Sequence, residues 1–136
     1  MSGELNLEAL LVGLTATLLP ETYVFATLKG QAMPQGLAPR MQFQEAEGTT
    51  LIVTRAEAEA AGVAHEFACR MITLDVHSSL EAVGFIAVIA RELAEAGIGV
   101  NPVAGFYHDH LFVPEARVED AMRILKDLAD AASDPA

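Results

Sequence analysis

Two groups of residues in this chain have the type and spacing to do chemistry. Ser78-Ser79-Leu80-Glu81 spells a capping box, with the Ser78 hydroxyl in reach of the Glu81 N–H and the Glu81 carboxylate reaching back. The helix it would open carries about half a positive charge and unpaired N–H groups at its first turn, a seat for a carboxylate. Gly84 lies just inside and has no side chain to hold off a ligand or another backbone. The plainer reading is that Ser78 only caps the helix and Gly84 only permits packing. The second group is Asp75, His77, His108 and His110. If the two segments are neighbouring strands in the expected register, all four share a sheet face, and imidazole with carboxylate suits Zn²⁺ or a similar divalent ion. The alternatives are histidines that hydrogen-bond across an interface or flank a pocket, and a register slip of one residue would scatter the cluster. Asp75, Glu45, Glu47 and Asp109 are carboxylates that could meet a ligand ammonium, or simply solvated charges. Catalysis has little support. Cys69 lies in a strand pattern and reads as a small buried hydrophobe. No GxSxG, P-loop or GxGxxG is present. Asp75, His77 and Ser78 or Ser79 are too close along one strand end for nucleophile–base–orienter geometry.

The elements that must position these residues follow from periodicity. Leu7, Leu10, Leu11 and Leu14 form one helical stripe with Asn6 as N-cap. Pro20 closes the connection to a strand over 23–28. Residues 29–39 hold Gly30, Pro34, Gly36 and Pro39 and read as a loop. Alternation over 41–45 and a run over 51–53 predict a hairpin turning at 45–48, followed by a short helix over 56–61 stopped by Gly62. A long strand is expected over 67–77, with Ile72, Leu74 and Val76 on one face. The capping box predicts a helix from Ser78 to about Ala96, ended by Gly97. Strands over 98–104 and 108–113 follow, the first an edge because Pro102 cannot donate to a ladder. Leu111 and Val113 should face the helices, and His108, His110 and Phe112 the other way. The last helix is expected over 115–132, with Ser133–Ala136 frayed.

Composition bounds the partners. The 136 residues are 52% hydrophobic and 20% charged, enough apolar material for a real core in one domain or two very small ones. Eight Lys and Arg against nineteen Asp and Glu give a net charge of −11. That balance opposes binding to nucleic acid or an anionic membrane surface, both of which require cations. No apolar run is long enough to span a bilayer. Met1-Ser2-Gly3-Glu4 lacks the positive start of a secretory leader, and a single cysteine excludes an internal disulfide framework; a cytoplasmic protein is expected.

The run Thr73-Leu74-Asp75-Val76-His77-Ser78-Ser79-Leu80-Glu81-Ala82-Val83-Gly84 resembles the strand-to-helix junction of an ACT domain. Gly97 to Pro114, including His108-Asp109-His110-Leu111-Phe112-Val113, resembles its next two strands. Glu45 to Leu51 and Tyr23-Val24-Phe25 are similar to the first half of the same bacterial group of small stand-alone tandem ACT-domain proteins. The resemblance implies an α+β fold of two ferredoxin-like, βαββαβ-derived units with antiparallel sheets and helices on one face. It places a first, incomplete unit over residues 1–66 and a second over 67–136. Each half lacks one strand of the full pattern, which suggests sharing between halves or chains. It further implies a regulatory module without catalytic residues, resembling the ACT pairs of aspartokinases and of a cytosolic arginine sensor. The bound amino acid would sit at a domain interface, with Ser78, Ser79, Leu80, Val83 and Gly84 at the helix start and Asn101, Val103, Ala104 and Gly105 on the edge strand. A homodimer is expected, without a cofactor. The rival readings are a protein-interaction module with no small ligand, and a divalent-metal binder using His77, His108, His110 and Asp75.

Overall fold

The computed structural model describes residues 3–133. Its elements are α1 (Leu7–Val12), β1 (Ala16–Leu28), β2 (Met41–Gln44), β3 (Thr49–Thr54), α2 (Arg55–Ala61), β4 (Glu66–Leu74), α3 (Phe85–Glu95), β5 (Asn101–Ala104), β6 (Asp109–Pro114) and α4 (Val118–Ser133), with a short 3₁₀ turn at Glu115–Arg117. The chain divides into two units, one of Met1–Leu19 with Arg70–Ala136, the other of Pro20–Cys69. β1 and β4 each run through the boundary, so a single strand serves both units.

In the unit of residues 20–69 the strand order is β2-β3-β1-β4. Along the chain this is a βαββαβ path with the first helix replaced by the loop between β1 and β2. Gly30, Pro34, Gly36 and Pro39 forbid a regular helix there. Leu37 from the loop instead packs on Val24, Leu28, Leu51, Val53 and Ala58, covering core that the missing helix would cover. Val24 opposes Val53 and Ala26 opposes Leu51 in the β1–β3 ladder, so period-two alternation delivers these residues to one face. α2 is set by local signals at both ends. Thr54 and Glu57 form a reciprocal capping box, and Gly62 closes the helix at φ 68°.

In the other unit the order is β1-β4-β6-β5, a circularly permuted βαββαβ: the chain runs β4, α3, β5, β6, α4, and the fourth strand is residues 16–19 of β1, which come earlier in the chain. Both units are therefore ferredoxin-like, and the strand missing from each half of the sequence is the shared stretch of β1 or β4. The core joins Ile72 and Leu74 of β4 and Leu111 and Val113 of β6 to Leu10, Phe85, Ile89, Leu93, Ala121 and Leu125 of the helices. The helix-facing set expected from alternation is the set observed, with Val76 packed at its margin. On the opposite face Phe112 is buried as well, at 1% exposure.

Several boundaries differ from expectation. β1 starts at Ala16 and runs through Pro20, which was expected to close a connection. β4 ends at Leu74, three residues short of His77, and β5 begins at Asn101. β5 is the edge of its sheet, as Pro102 predicts. α4 runs through Ser133, whose hydroxyl donates to the Ala129 carbonyl, and the expected fraying of 134–136 lies outside the described residues. No helix among the described residues is long and apolar enough to cross a membrane.

Candidate functional site

The site is built from the segment that leaves β4. Where the chain should pass directly from strand into helix, ten residues intervene: Asp75 to Gly84. They are tied down by distant partners. The Asp75 N–H donates to the Thr15 carbonyl at 2.7 Å, and the Thr17 hydroxyl donates to the Asp75 carboxylate. Glu4 lies alongside as a one-residue parallel bridge to Ser78. Its N–H donates to the His77 carbonyl at 2.8 Å, and its carbonyl accepts from the Ser79 N–H at 2.9 Å. Gly3 is required for that approach: a Cβ there would lie 2.7 Å from the Ser79 nitrogen.

These bonds overturn the expected capping box. Ser78 donates its hydroxyl to the Asp109 carboxylate at 3.0 Å instead of capping a helix. The Ser79 hydroxyl accepts from the Glu81 N–H at 3.1 Å, a local turn. The N-cap of α3 is Gly84, at φ 95°, ψ −12°, and no side chain caps the helix. The N–H groups that open α3 are therefore left without the side-chain acceptor that Ser, Thr or Asp would supply.

Beside this helix start lies a cavity of about 220 Å³, lined by Ser78, Ser79, Leu80, Ala82, Gly84, the first turn of α3 (Phe85, Ile86, Ala87), Ala104 and Asp109. Ser78 and Ser79 are buried polar residues on its wall. Ala104 and Asp109 are cross-strand partners at the end of the β5–β6 hairpin, which is how the hairpin reaches the cavity. Its lining includes groups of opposite sign, the partial positive charge at the start of a helix and the Asp109 carboxylate.

Of the residues singled out in the sequence, Ser78, Ser79, Leu80, Gly84, Ala104 and the candidate carboxylate Asp109 line this one cavity. Val83 belongs to the same segment but is 84% exposed and is not among the lining residues. Asn101 and Val103 pair with Phe112 and His110 further along the hairpin, and Gly105 turns it, donating to the His108 carbonyl at 2.8 Å. Ala82, Phe85, Ile86 and Ala87 were not foreseen, because the helix was expected to start at Ser78. A glycine just ahead of the apolar Phe85-Ile86 pair is the signal that could have located its true start.

The four candidate metal ligands are not gathered. His110 Nδ1 lies 3.0 Å from the Thr73 hydroxyl, Asp75 accepts from Thr17, and the His77 ring packs on Tyr107 at 5.4 Å between centroids. Among the described residues no three His, Cys, Asp or Glu side chains are placed to hold a metal ion. The Thr73–His110 contact does place those residues on the shared sheet face that alternation predicts. Cys69 is fully buried, its thiol donating to the Tyr23 carbonyl at 3.3 Å.

Comparison with known proteins bears on this geometry. One ACT domain family model matches residues 2–70 and a second matches residues 66–127. A Vibrio cholerae protein of unknown function, described as a possible transport protein, is 39% identical with a TM-score of 0.80 over 90% of this chain and 95% of that one. An Agrobacterium tumefaciens protein superposes at TM-score 0.73 with 17% identity, covering 85% of this chain and 89% of that one. The ligand-free regulatory subunit of aspartate kinase from Thermus thermophilus superposes at 0.65 with 12% identity, covering 83% of this chain and 95% of that one. The last two are likenesses of fold. No curated protein matches the chain.

Proposed function

The chain belongs to the ACT-domain family, with two ACT domains in tandem, and from that premise we propose that it is a regulatory amino-acid-binding protein. ACT domains are regulatory modules, and no catalytic role is proposed for this one. The division of the tandem into residues 1–66 and 67–136 is part of the proposal.

The observation that carries the reading is the cavity at the start of α3, which offers an uncapped helix N-terminus and the Asp109 carboxylate to one small molecule. A free amino acid has the complementary pair of charges. Its carboxylate would take the N–H groups that open α3, and its ammonium would take Asp109, which Ser78 orients. The exposed edge β5, with Asn101, Val103 and Gly105, would supply the pairing surface for a second copy, making the homodimer and the interface site one proposal. Binding at such an interface would favour the assembled state by mass action, the ordinary route to regulation. A cytoplasmic location and the absence of cofactor, nucleic-acid and membrane partners complete the proposal.

The experiment is a calorimetric titration of the full chain with each of the twenty amino acids. A hit should be weakened at least about tenfold, or about 1.4 kcal/mol, by Asp109→Asn. Retention of full affinity in that variant would remove the site from the argument. One observation favours a second reading. Leu80, Val83, Phe106 and Tyr107 are large apolar side chains exposed by more than half. They suit a protein-interaction module without a small ligand, which predicts silence across the whole panel.

A further inference from the structure

The second candidate site lies in the unit of residues 20–69, far along the chain from α3. Glu21 of β1 has a carboxylate oxygen, Oε2, that is buried and accepts no hydrogen bond among the described residues. Buried acceptors are almost always paired, and an unpaired one lining a cavity can take a donor from a bound molecule. Glu21 lines two neighbouring cavities, of about 440 Å³ and 410 Å³, which also share Thr54. Each is within the range that small-molecule sites occupy.

The larger cavity also contains a cation. Arg40 donates from one terminal nitrogen to the Tyr23 hydroxyl at 3.0 Å, and its guanidinium sits 5.8 Å from the Tyr23 ring centroid. It makes no ion pair among the described residues, although the chain has nineteen carboxylate side chains and only eight Lys and Arg. Glu57, the other carboxylate in the cavity wall, is fully engaged. One oxygen accepts from the Thr54 N–H and hydroxyl, and the other from the Ala38 N–H at 2.7 Å. Glu21 and Arg40 are thus charged groups of opposite sign that line one cavity and are not paired with each other. Tyr23, buried at 2% exposure, fixes the guanidinium in place, which leaves the rest of its donor fork for a ligand.

We propose that this cavity is a second binding site, and that it takes a small zwitterion with its ammonium on Glu21 and its carboxylate on Arg40. The two contacts discriminate against simpler ligands. A bare anion would meet the Glu21 carboxylate, and a bare cation would meet the guanidinium. The site lies where β1 passes the end of β3 and the residues leading into β2, so it uses none of the residues at the start of α3. It stands or falls independently of the reading above.

The test is nitrogen-15 NMR on the full chain, titrated into the millimolar range with the twenty amino acids as probes. The expected result is saturable movement of the Ala38, Arg40 and Thr54 amide signals with at least one probe. Glu21→Gln and Arg40→Met should each weaken that response at least about tenfold. The methyl ester and the N-acetyl derivative of the same probe should be weakened similarly. The Ala82, Ile86 and Ala87 amides report the other site, so the two readings fail separately. Glu21→Gln keeps the side-chain shape and Arg40→Met keeps an unbranched chain without the charge, and both are checked for a native spectrum before titration. The proposal is overturned if no probe moves the signals of residues 38–54. It is also overturned if they move with unchanged affinity in Glu21→Gln and Arg40→Met.

Discussion

Replacing Gly84 with alanine tests the reasoning about the start of α3 most directly. A Cβ at this position would meet nothing nearer than Leu7 Cδ2, at 3.5 Å, an ordinary van der Waals contact. Steric exclusion by neighbours is therefore negligible, and the cost is in the backbone. At φ 95° an L-residue is strained by about 1–2 kcal/mol, while the loss of glycine's freedom in the unfolded chain returns about 0.4–1 kcal/mol. The net expectation is a loss of about 1 kcal/mol, or about 3–6 °C in Tm for a domain of this size. Gly99→Ala is the control. That residue has open space for a Cβ and is not in the left-handed region, so the unfolded-state effect alone should leave the variant neutral or slightly more stable. Gly84→Asn should fall between wild type and alanine, because asparagine tolerates positive φ better. Urea melts of the four proteins give the comparison. A Gly84→Ala protein as stable as wild type would refute the claim that the positive φ at this cap is enforced. In the same variant, relaxation of the cap would turn the N–H groups that open α3, so amino-acid affinity should drop about tenfold or more.

Thr54→Ala removes the reciprocal cap of α2 and should cost about 1 kcal/mol in a urea melt. A change within error would mean that the Ala38–Glu57 bond holds the helix start unaided. Partial burial pushes the Glu57 carboxyl up, but hydrogen bonds from the Thr54 hydroxyl, the Ala38 N–H and the Thr54 N–H outweigh it and hold the pKa below 4.5. A depressed folded-state value stabilises the protein above the unfolded pKa, and that stability fades as pH falls through the folded one. Glu57→Gln should therefore flatten the acid limb of a Tm-against-pH curve below about pH 4.5; an unchanged limb would count against the three bonds. Ile89→Ala opens a cavity in the fully buried centre of α3 and should cost about 2–5 kcal/mol by chemical denaturation.

What the sequence determined on its own is local. The β2–β3 hairpin, α2 with its terminal Gly62, the irregular run through residues 29–39 and the apolar stripe of α4 each depend on residues within a few positions of one another. Alternation also placed Ile72, Leu74, Leu111 and Val113 on the helix side, because a strand's facing is set by its own pleat. Tertiary structure decided the rest. Ser78-Ser79-Leu80-Glu81 is a sound capping box in isolation, yet the Glu4 carbonyl takes the Ser79 N–H and the Asp109 carboxylate takes the Ser78 hydroxyl. Those partners are 75 and 31 residues away. A helix start is worth only about 1 kcal/mol to a capping side chain, and a charge-assisted bond from a distant carboxylate competes on equal terms. The passage of β1 through Pro20 has the same origin: proline disfavours an internal strand position, and a neighbouring strand supplies what local propensity withholds. Sharing β1 and β4 between two ferredoxin-like units also needed the fold, since no short window of residues records which strand lies beside which.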